Sequence, residues 1–346
     1  MSKVNIGVVG CGSIARRMHL PAWASLPGAQ ISAICDCDEQ CLREMSEQFG
    51  IERIFADFDD MLSCDDIDVI DICTPNFLHM PQAVAALEAG KHVMIEKPLA
   101  RNFAEAEKII QAANENDRKL TIAFPLRFRS EGATLKKFVD AGELGEIYYV
   151  HARALRRRGV PLRGVFTDKE KQGGGPLIDL GIHYIDLMLW LMGHPKPVFA
   201  SGVSYQKIGN RECDPGSNQS WDYKNFTVED FAAGLVRFDN GASMVIECSF
   251  AANIQEDTLG ATIIGDRGGA ELLPLRIFRE ERGEMVDLTP ASLPDCKPYV
   301  ILAKGFLDSI KDSSRPLVTG EEGLIAMKIV DMIYRSAEIG REVQLS

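Results

Sequence analysis

From residue 4 the chain alternates short β-branched runs with helix-forming stretches, a pattern that few architectures accommodate. The apolar runs are VNIGVVG, QISAIC, IDVIDICT, HVMIE and LTIAF, and amphipathic stretches such as DEQCLREMSEQFG and AEAEKIIQAANEN lie between them. Strands separated in this way pair in parallel through right-handed crossovers, and helices cover both faces of the sheet. Residues 1–124 are therefore predicted to form an α/β domain with a doubly wound parallel sheet.

The first turn between strand and helix reads GCGSIA, a GxGxxA pattern. Gly10 permits a tight bend, Gly12 lets a pyrophosphate approach the backbone, and Ala15 is small enough for close packing of helix on strand. Ser13 and Ile14 begin the helix, whose N-terminal N–H groups would face the phosphates. A glycine triplet alone also fits an ordinary turn, but its position between strand and helix predicts a dinucleotide site.

The next strand ends at Asp36, in the interval where a dinucleotide site places an acid that binds the hydroxyls of the adenosine ribose. A carboxylate there repels a 2′-phosphate, and Cys37 rather than a basic residue follows it. The sequence therefore favours NAD over NADP as the cofactor. The alternative is that Asp36 is a turn residue at the end of a strand.

Two further loops, TPNFLH and EKPLA, follow strand-like runs. Ligands of open α/β sheets bind at the carboxyl ends of the strands. Thr74, Pro75 and Asn76 of the first loop are therefore candidate cofactor contacts, as are Glu96 and Lys97 of the second. Taken singly, a lysine at such an edge is more often solvated than catalytic.

The segment GGGPLIDLGIHYIDLMLW sets polar side chains into an apolar helix. Asp179, His183 and Asp186 stand at i, i+4 and i+7 and therefore share one side of that helix. Pro176 suits the first turn, and the positive helix end favours an ionised Asp179. His183 is either a general base or a buried histidine that Asp179 satisfies, whereas Asp186 is expected to be structural. A zinc site lacks further ligands, so no metal is predicted.

The second part of the chain, residues 125–346, contains the strand-like runs EIYYVHARAL, VFASGVSY, DFAAGLVRF, ASMVIECSF and LGATIIG. Asn240-Gly241 between two of them is a hairpin signal, and hairpin-linked strands form an antiparallel sheet. The outer face of such a sheet must be covered by helices, by solvent or by another subunit. We therefore expect a second domain built on a mainly antiparallel sheet.

Arginines mark candidate substrate contacts in an acidic chain. The stretch RALRRRGVPLRGVF, which contains Arg156 and Arg163, could recognise a phosphate or a carboxylate beside a cleft. Its alternative is a solvated loop that pairs with surface acids. Arg127 in FPLRFR is another candidate wall residue, with packing at the core edge as the equal alternative. The polar stretch 209–225 is predicted to be a long loop, either a lid or a subunit contact.

The overall composition narrows the classes of partner. A formal net charge of −12 argues against nucleic-acid binding, and no run of about 18 apolar residues predicts a membrane span. The nine cysteines form no CxxC pair and no export leader is recognisable, so reduced thiols in the cytoplasm are expected. The expected partners are small molecules.

The motifs in this order and spacing resemble the glucose-fructose oxidoreductase, inositol dehydrogenase and rhizopine-catabolism (Gfo/Idh/MocA) family. The resemblance rests on GCGSIA, Asp36, TPNFLH, EKPLA and GGGPLIDLGIHYIDL, and it extends through GELGEI and VEDFAAGLVRFDNGASMVIECSF. It implies a Rossmann domain and a second α/β domain whose open antiparallel sheet forms one wall of the site and the contact of a homo-oligomer, a dimer or a tetramer. It also implies a nicotinamide-dependent oxidoreductase acting on sugars, cyclitols or their derivatives.

The resemblance assigns the catalytic role to three residues: Lys97, Asp179 and His183. It also implies that Asn76 and His79 line the cofactor near its ribose and nicotinamide, with Glu96 by the ring. The expected reaction moves hydride between a secondary hydroxyl and nicotinamide, with an imidazole as base and an ammonium stabilising the alkoxide. Two other classes stay open: glycoside cleavage through transient oxidation and elimination, and a non-catalytic dinucleotide sensor.

Overall fold

The structure, a computed structural model, describes three stretches of the chain: residues 3–162, 164–213 and 220–345. These residues form two compact units, 3–125 with 297–324 and 126–296 with 325–345. The sequence alone predicts one boundary, at residue 124. The structure differs in that residues 297–324 return to the first unit.

Six strands form the sheet of the first unit: β1 (Val4–Val9), β2 (Ala29–Cys35), β3 (Ile54–Phe55), β4 (Val69–Ile72), β5 (His92–Glu96) and β6 (Leu120–Ala123). All pairs are parallel, in the order β3-β2-β1-β4-β5-β6. The order reverses between β1 and β4, which confirms the doubly wound sheet. Every residue of β4 and β6 is buried because helices cover both faces, and for that reason their sequences are continuous apolar runs.

Five α-helices connect these strands: α1 (Leu20–Ala24), α2 (Glu39–Phe49), α3 (Phe58–Leu62), α4 (Asn76–Glu88) and α5 (Phe103–Glu115). A π-helical turn, Ala15–His19, precedes α1. Asp38 caps α2 and Asn102 caps α5, because each side chain accepts backbone N–H groups that a helix start leaves without partners.

Nine strands form the sheet of the second unit: β7 (Ile147–Leu155), β8 (Pro197–Tyr205), β9 (Phe231–Phe238), β10 (Ser243–Ser249), β11 (Thr258–Gly265), β12 (Gly268–Glu271), β13 (Arg276–Glu281), β14 (Glu284–Leu288) and β15 (Val343–Gln344). Their order is β14-β13-β12-β11-β7-β10-β9-β8-β15. Neighbouring strands are antiparallel except β7 and β10, which are parallel. The mainly antiparallel sheet is therefore confirmed.

The two faces of this second sheet differ. Along β7, Val150, Ala152 and Ala154 are buried, whereas the residues between them are partly exposed. Three α-helices lie wholly within the same unit: α6 (Ser130–Asp140), α7 (Lys169–Gln172) and α8 (Ile182–Leu191). A π-helical turn, Leu177–Gly181, precedes α8 and packs on the buried face. The other face, whose side chains are partly exposed, stays open among the described residues.

Two helices close the chain: α9 (Pro298–Asp312) and α10 (Gly320–Ile339). The segment 297–324 joins the first unit because it packs on β6. Thr121 Oγ1 donates to Val318 O at 2.8 Å, and a Cβ on Gly323 would overlap Ile122 Cδ1. Among the helices of the described residues, none is both long and apolar enough to cross a membrane.

Candidate active site

The glycine-rich turn follows β1 at the carboxyl end of the parallel strands. Gly10 has a φ of +87°, and a Cβ there would lie 2.7 Å from the carbonyl carbon of Cys73. Glycine is required on both counts. A Cβ on Gly12 would meet no atom within 4 Å, so the packing of the chain does not demand glycine, whereas close approach of a pyrophosphate does. Ser13 and Ile14 are the first helical residues, as predicted.

Asp36 lies against this turn. Its Oδ2 accepts the N–H of Cys11 at 2.7 Å, and its Oδ1 accepts the N–H of Asp38 at 2.9 Å. Each carboxylate oxygen keeps a second lone pair, which could accept a ribose hydroxyl. Asp36 is thus a turn residue held where the sequence predicts the ribose contact, and that contact remains a prediction.

The loop TPNFLH leads from β4 into α4. Pro75 occupies the N-cap position in an extended conformation, and Asn76 is the first residue of the helix, with 9% of its surface exposed. Thr74 donates its hydroxyl to Gln82 Oε1 at 2.6 Å. The three candidate cofactor contacts therefore lie at the predicted end of the parallel sheet.

His79 differs from the expectation that it lines the cofactor. It is fully buried, with Nδ1 2.7 Å from Pro98 O and Nε2 2.8 Å from Thr74 O. Burial lowers the pKa of His79. Both ring nitrogens of His79 face backbone carbonyls, one in the TPNFLH loop and one in the EKPLA loop. His79 therefore connects the two loops and has a structural position.

A buried polar network surrounds Glu96, and no sequence motif indicates it. His19 lies between two carboxylates, with Nδ1 2.9 Å from Asp71 Oδ2 and Nε2 2.8 Å from Glu96 Oε1. Trp23 donates its indole N–H to Asp71 at 2.7 Å, and Tyr299 donates its hydroxyl to Glu96 at 2.9 Å. These residues come from distant parts of the sequence, so only the folded sheet brings them together.

The network stabilises charge inside the first unit. Burial alone would lower the pKa of His19, but the charge and hydrogen bond of Asp71, together with Cys73, outweigh it and raise the pKa well above its ordinary value. Burial also opposes ionisation of Glu96, but the hydrogen bond and charge of His19 hold its pKa below the usual range. Glu96, the residue directly before Lys97, therefore keeps its negative charge beside the His19 ring.

One part of this network has the composition of a metal site. His19, Asp71 and Cys73 bring three possible ligand atoms within 4.8 Å of one another. Asp71 already accepts hydrogen bonds from His19 and Trp23, and burial raises the pKa of Cys73 to about 12, which disfavours the thiolate. The donors present therefore fit a hydrogen-bond network.

Lys97 follows Glu96 at the carboxyl end of β5 and is partly buried. Its backbone N–H donates to Glu96 Oε2 at 3.2 Å, and the Lys97–Pro98 peptide bond is cis. Pro98 is buried, as are the two residues after it. Lys97 therefore lies at the predicted edge of the sheet, and its catalytic role remains a prediction.

In the second unit, the three polar residues of α8 and its preceding turn differ in exposure: Asp179 and His183 are partly exposed, and Asp186 is buried. From residue 177 to residue 189 all side chains are buried except those of Asp179, Leu180 and His183. Asp186, the third of the polar residues, is 1% exposed. The partial exposure of Asp179 and His183 in an otherwise buried stretch favours the reactive role over that of a core histidine.

Asp186 is structural, as predicted, and its partner is Arg127. The Arg127 Nε and Nη2 donate to the two oxygens of Asp186 at 2.9 and 2.5 Å, and both side chains are 1% exposed. The guanidinium also lies 5.8 Å from the centre of the Trp190 ring. This environment favours packing at the core edge over a wall position for Arg127, because a buried bidentate ion pair is not available to a substrate.

The arginine-rich loop turns its side chains onto neighbouring backbone. Arg156 donates to Gly159 O at 3.2 Å, and Arg158 donates to Ala252 O at 2.9 Å and Asn253 Oδ1 at 2.8 Å. These contacts favour the structural alternative for Arg156 over anion recognition. Arg163 lies outside the described residues, as do residues 214–219 of the predicted long loop.

The two units carry different functional features. The first has a doubly wound sheet with a glycine turn shaped for a pyrophosphate, and the second presents a carboxylate and an imidazole from a buried helix. These features define the class of dinucleotide-dependent oxidoreductases. The model of the oxidoreductase family with an NAD-binding Rossmann fold matches residues 4–124, and that of the GFO/IDH/MocA C-terminal domain matches residues 133–271. The chain belongs to the GFO/IDH/MocA oxidoreductase family.

Relatives over the full length of the chain include sugar and cyclitol dehydrogenases. The chain is 34% identical to the D-glucoside 3-dehydrogenase of Escherichia coli K12, covering 99% of this chain and 98% of that protein. It is 27% identical to the myo-inositol 2-dehydrogenase of Thermotoga maritima, with the same coverage. Among solved structures, the aldose-aldose oxidoreductase from Caulobacter crescentus complexed with glycerol matches with a TM-score of 0.83 at 27% identity, covering 99% and 100% of the two chains. The chain is an oxidoreductase of this family with an NAD-binding Rossmann domain.

Proposed function

We propose that the protein oxidises a secondary hydroxyl of a glycoside with NAD, and that carbon 3 of a D-glucoside is the favoured position. The observation that carries this proposal is the partial exposure of Asp179 and His183 on a helix that is otherwise buried. The substrate class is supported by the similarity to D-glucoside 3-dehydrogenase over 99% of the chain.

The proposed chemistry needs one base, one cation and one anchoring carboxylate. When bound, NAD accepts the hydride. His183 removes the proton from the hydroxyl oxygen while the hydride leaves the carbon that carries this hydroxyl. A ketone forms, and two electrons are transferred with the hydride. Lys97 stabilises the developing alkoxide, and Asp179 binds a neighbouring hydroxyl or orients the imidazole. A positioned base typically contributes about 10²–10⁴ to the rate.

The proposal is tested by following NADH absorbance with methyl β-D-glucopyranoside, free glucose and myo-inositol. We expect the glucoside to give the highest kcat/KM and His183→Ala to lower kcat by about 10²–10⁴ without loss of NADH binding. The matched control is His92→Gln, because His92 lies at the opposite, amino-terminal end of β5. Its kcat should stay within twofold of that of the wild-type protein.

Other outcomes separate the alternatives. Faster oxidation of myo-inositol would replace the glucoside by a cyclitol. Consumption of the glucoside without accumulation of NADH would indicate cleavage through transient oxidation. Absence of reaction with every polyol and keto-sugar would contradict the enzymatic proposal and favour a dinucleotide sensor.

We also propose that the protein acts in the cytoplasm as a homo-oligomer. All nine cysteines are free thiols, as expected of a protein in a reducing compartment. The open face of the nine-stranded sheet supplies the surface for a second copy.

A further inference from the structure

Three glycines precede the turn that carries Asp179, and two of them lie against other parts of the second unit. A Cβ on Gly174 would overlap the hydroxyl of Tyr334, and a Cβ on Gly175 would overlap the carbonyl oxygen of Glu229. Overlaps of this kind leave no room for a side chain. The glycines therefore serve close packing against Glu229 and Tyr334.

The Glu229 carboxylate holds the start of the helical segment. Its Oε2 accepts the N–H of Gly175 at 2.8 Å, and its Oε1 accepts the N–H of Leu177 at 3.3 Å. Pro176 between them has no N–H. The carboxylate thus takes both backbone donors of this stretch, which a helix start would otherwise leave without acceptors.

Tyr334 completes the arrangement from α10. Its hydroxyl donates to Glu229 Oε1 at 2.7 Å, so this oxygen receives two hydrogen bonds. Burial raises the pKa of Glu229, although the hydrogen bonds from Tyr334 and from Gly175 oppose that effect. Burial and the Glu229 carboxylate raise the pKa of Tyr334 well above its ordinary value. Glu229 is buried and Tyr334 is partly buried, and the two side chains are joined by this hydrogen bond.

An ordinary N-terminal helix cap is a residue next to the helix in the sequence, and it only satisfies the first backbone N–H groups. Glu229 instead lies 54 positions from Gly175 in the sequence, two residues before β9. Its hydrogen bonds therefore set where the helix begins relative to the sheet. Asp179 comes two residues after the last N–H that Glu229 accepts, and its own N–H donates to Gly175 O at 3.0 Å.

We propose that Glu229 and Tyr334 are positioning residues for Asp179 and His183, which they place through the backbone of the glycine-rich turn. This inference rests on the proposed function of those two side chains. A displacement of about 1 Å in a reacting group can lower a rate by about 10². Neither Glu229 nor Tyr334 needs to contact the substrate for this effect.

The test compares Glu229→Gln and Tyr334→Phe with a matched control, Asp230→Asn. A glutamine amide offers one oxygen and one NH₂ group, so one of the two backbone N–H groups loses its acceptor. Asp230 is also buried, and its Oδ2 accepts three backbone N–H groups at residues 207–209, all within 2.8 Å. The control therefore alters the neighbouring carboxylate, which holds a different loop.

Two measurements separate positioning from general stability. With methyl β-D-glucopyranoside, Glu229→Gln should lower kcat by about 10- to 100-fold and raise the primary isotope effect of the substrate deuterated at carbon 3, with NADH affinity unchanged within twofold. Tyr334→Phe should change kcat and the isotope effect in the same direction, with a decrease in kcat about a tenth as large as that of Glu229→Gln. Asp230→Asn should lower the melting temperature but keep the wild-type isotope effect.

Amide hydrogen exchange tests whether Glu229 holds the backbone of residues 175–183, and it needs no substrate turnover. In Glu229→Gln, residues 175–183 should exchange about tenfold faster than in the wild-type protein, and Asp230→Asn should leave them unchanged. Wild-type exchange in Glu229→Gln, or an unchanged isotope effect in an active enzyme, would overturn the positioning role. If the wild-type protein were inactive on all sugars, the proposed function would fail and the exchange measurement would still decide this inference.

Discussion

At the scale of single residues, the least expected feature is an imidazole held between two acids in the core of the first unit. His19 is 1% exposed and hydrogen-bonds to Asp71 and Glu96. Glu96 is the residue before Lys97, so the charge of His19 bears on the loop that carries the proposed catalytic ammonium. Removal of the imidazole would leave two buried carboxylates without their counterion.

His19→Gln is therefore expected to lower the free energy of unfolding by about 3–5 kcal/mol near neutral pH, the usual cost of breaking a buried ion pair on one side. The folded state raises the pKa of His19 above its unfolded value. This contribution is complete below about pH 6.5 and is lost as the pH rises towards the folded-state pKa, by about 1.4 kcal/mol per pH unit. The stability gap between wild-type protein and variant should thus narrow above pH 7.

Urea unfolding at several pH values between 7 and 9 measures that gap. His92→Gln is the control, because burial lowers the pKa of His92 and the ring is neutral in both states above pH 7. The gap between the wild-type protein and His92→Gln should not vary over this range. A constant gap for His19→Gln would show that the imidazole is not charged in the folded protein.

The positions of candidate site residues at strand ends could be predicted from the sequence, whereas their burial and their long-range hydrogen-bond partners could not. The positions of Gly10, Asp36 and Lys97 at strand ends follow from local patterns. Arg127 and His79 are polar residues for which the sequence offers a role at the site surface, yet both side chains are buried. Their partners, Asp186 and the Pro98 carbonyl, come from elements that only the tertiary structure brings near.

At the scale of elements, hydrophobic runs identify the strands that are buried and miss those that are not. The five runs of the first half correspond to all strands of its sheet except the two-residue β3. In the second half, β13 and β14 carry the charged sequences RIFREE and EMVDL and lie at one edge of the sheet, where strands need no apolar alternation. The parallel pairing of β7 with β10 also has no local signal.

The π-helical turn before α8 depends on one close contact with the sheet. Gly181 has a φ of −60°, which alanine accepts, but a Cβ there would lie 2.7 Å from Cys248 Sγ on β10. Overpacking of this kind costs about 1–3 kcal/mol, against a gain of about 1 kcal/mol from replacing glycine in a helix. We expect Gly181→Ala to destabilise the protein by about 1 kcal/mol and to lower kcat, because His183 follows in the next half-turn.

In a Cys248→Ala background the sulfur is absent, so the same Gly181→Ala change should stabilise the protein by up to about 1 kcal/mol and restore kcat. Unfolding free energies of the four proteins form a double-mutant cycle. An equal effect of Gly181→Ala in both backgrounds would show that the sulfur does not set the position of the turn.

At the scale of the whole molecule, the nine-stranded sheet leaves one broad face open within the chain. Strand registers place nine partly or fully exposed apolar residues on this open face: Tyr149, Leu155, Phe199, Val203, Tyr205, Phe231, Leu235, Val245 and Ile264. The opposite face is covered by helices. Apolar residues grouped on an open sheet face, here interspersed with polar side chains such as the His151–Glu247 pair, are typical of an interaction site.

Leu235 lies near the middle of the open face, where its register partners are Val245 on β10 and Ser201 on β8. Leu235→Glu should therefore prevent association, since an assembly through this face would bury an unpaired carboxylate. Light scattering after size-exclusion chromatography should give at least twice 38.2 kDa for the wild-type protein and 38.2 kDa for the variant. Met285→Glu, at a residue 69% exposed on the edge strand β14, is the matched control and should keep the wild-type mass. A monomeric wild-type protein, or a Leu235→Glu protein of unchanged mass, would show that a second copy does not cover this face.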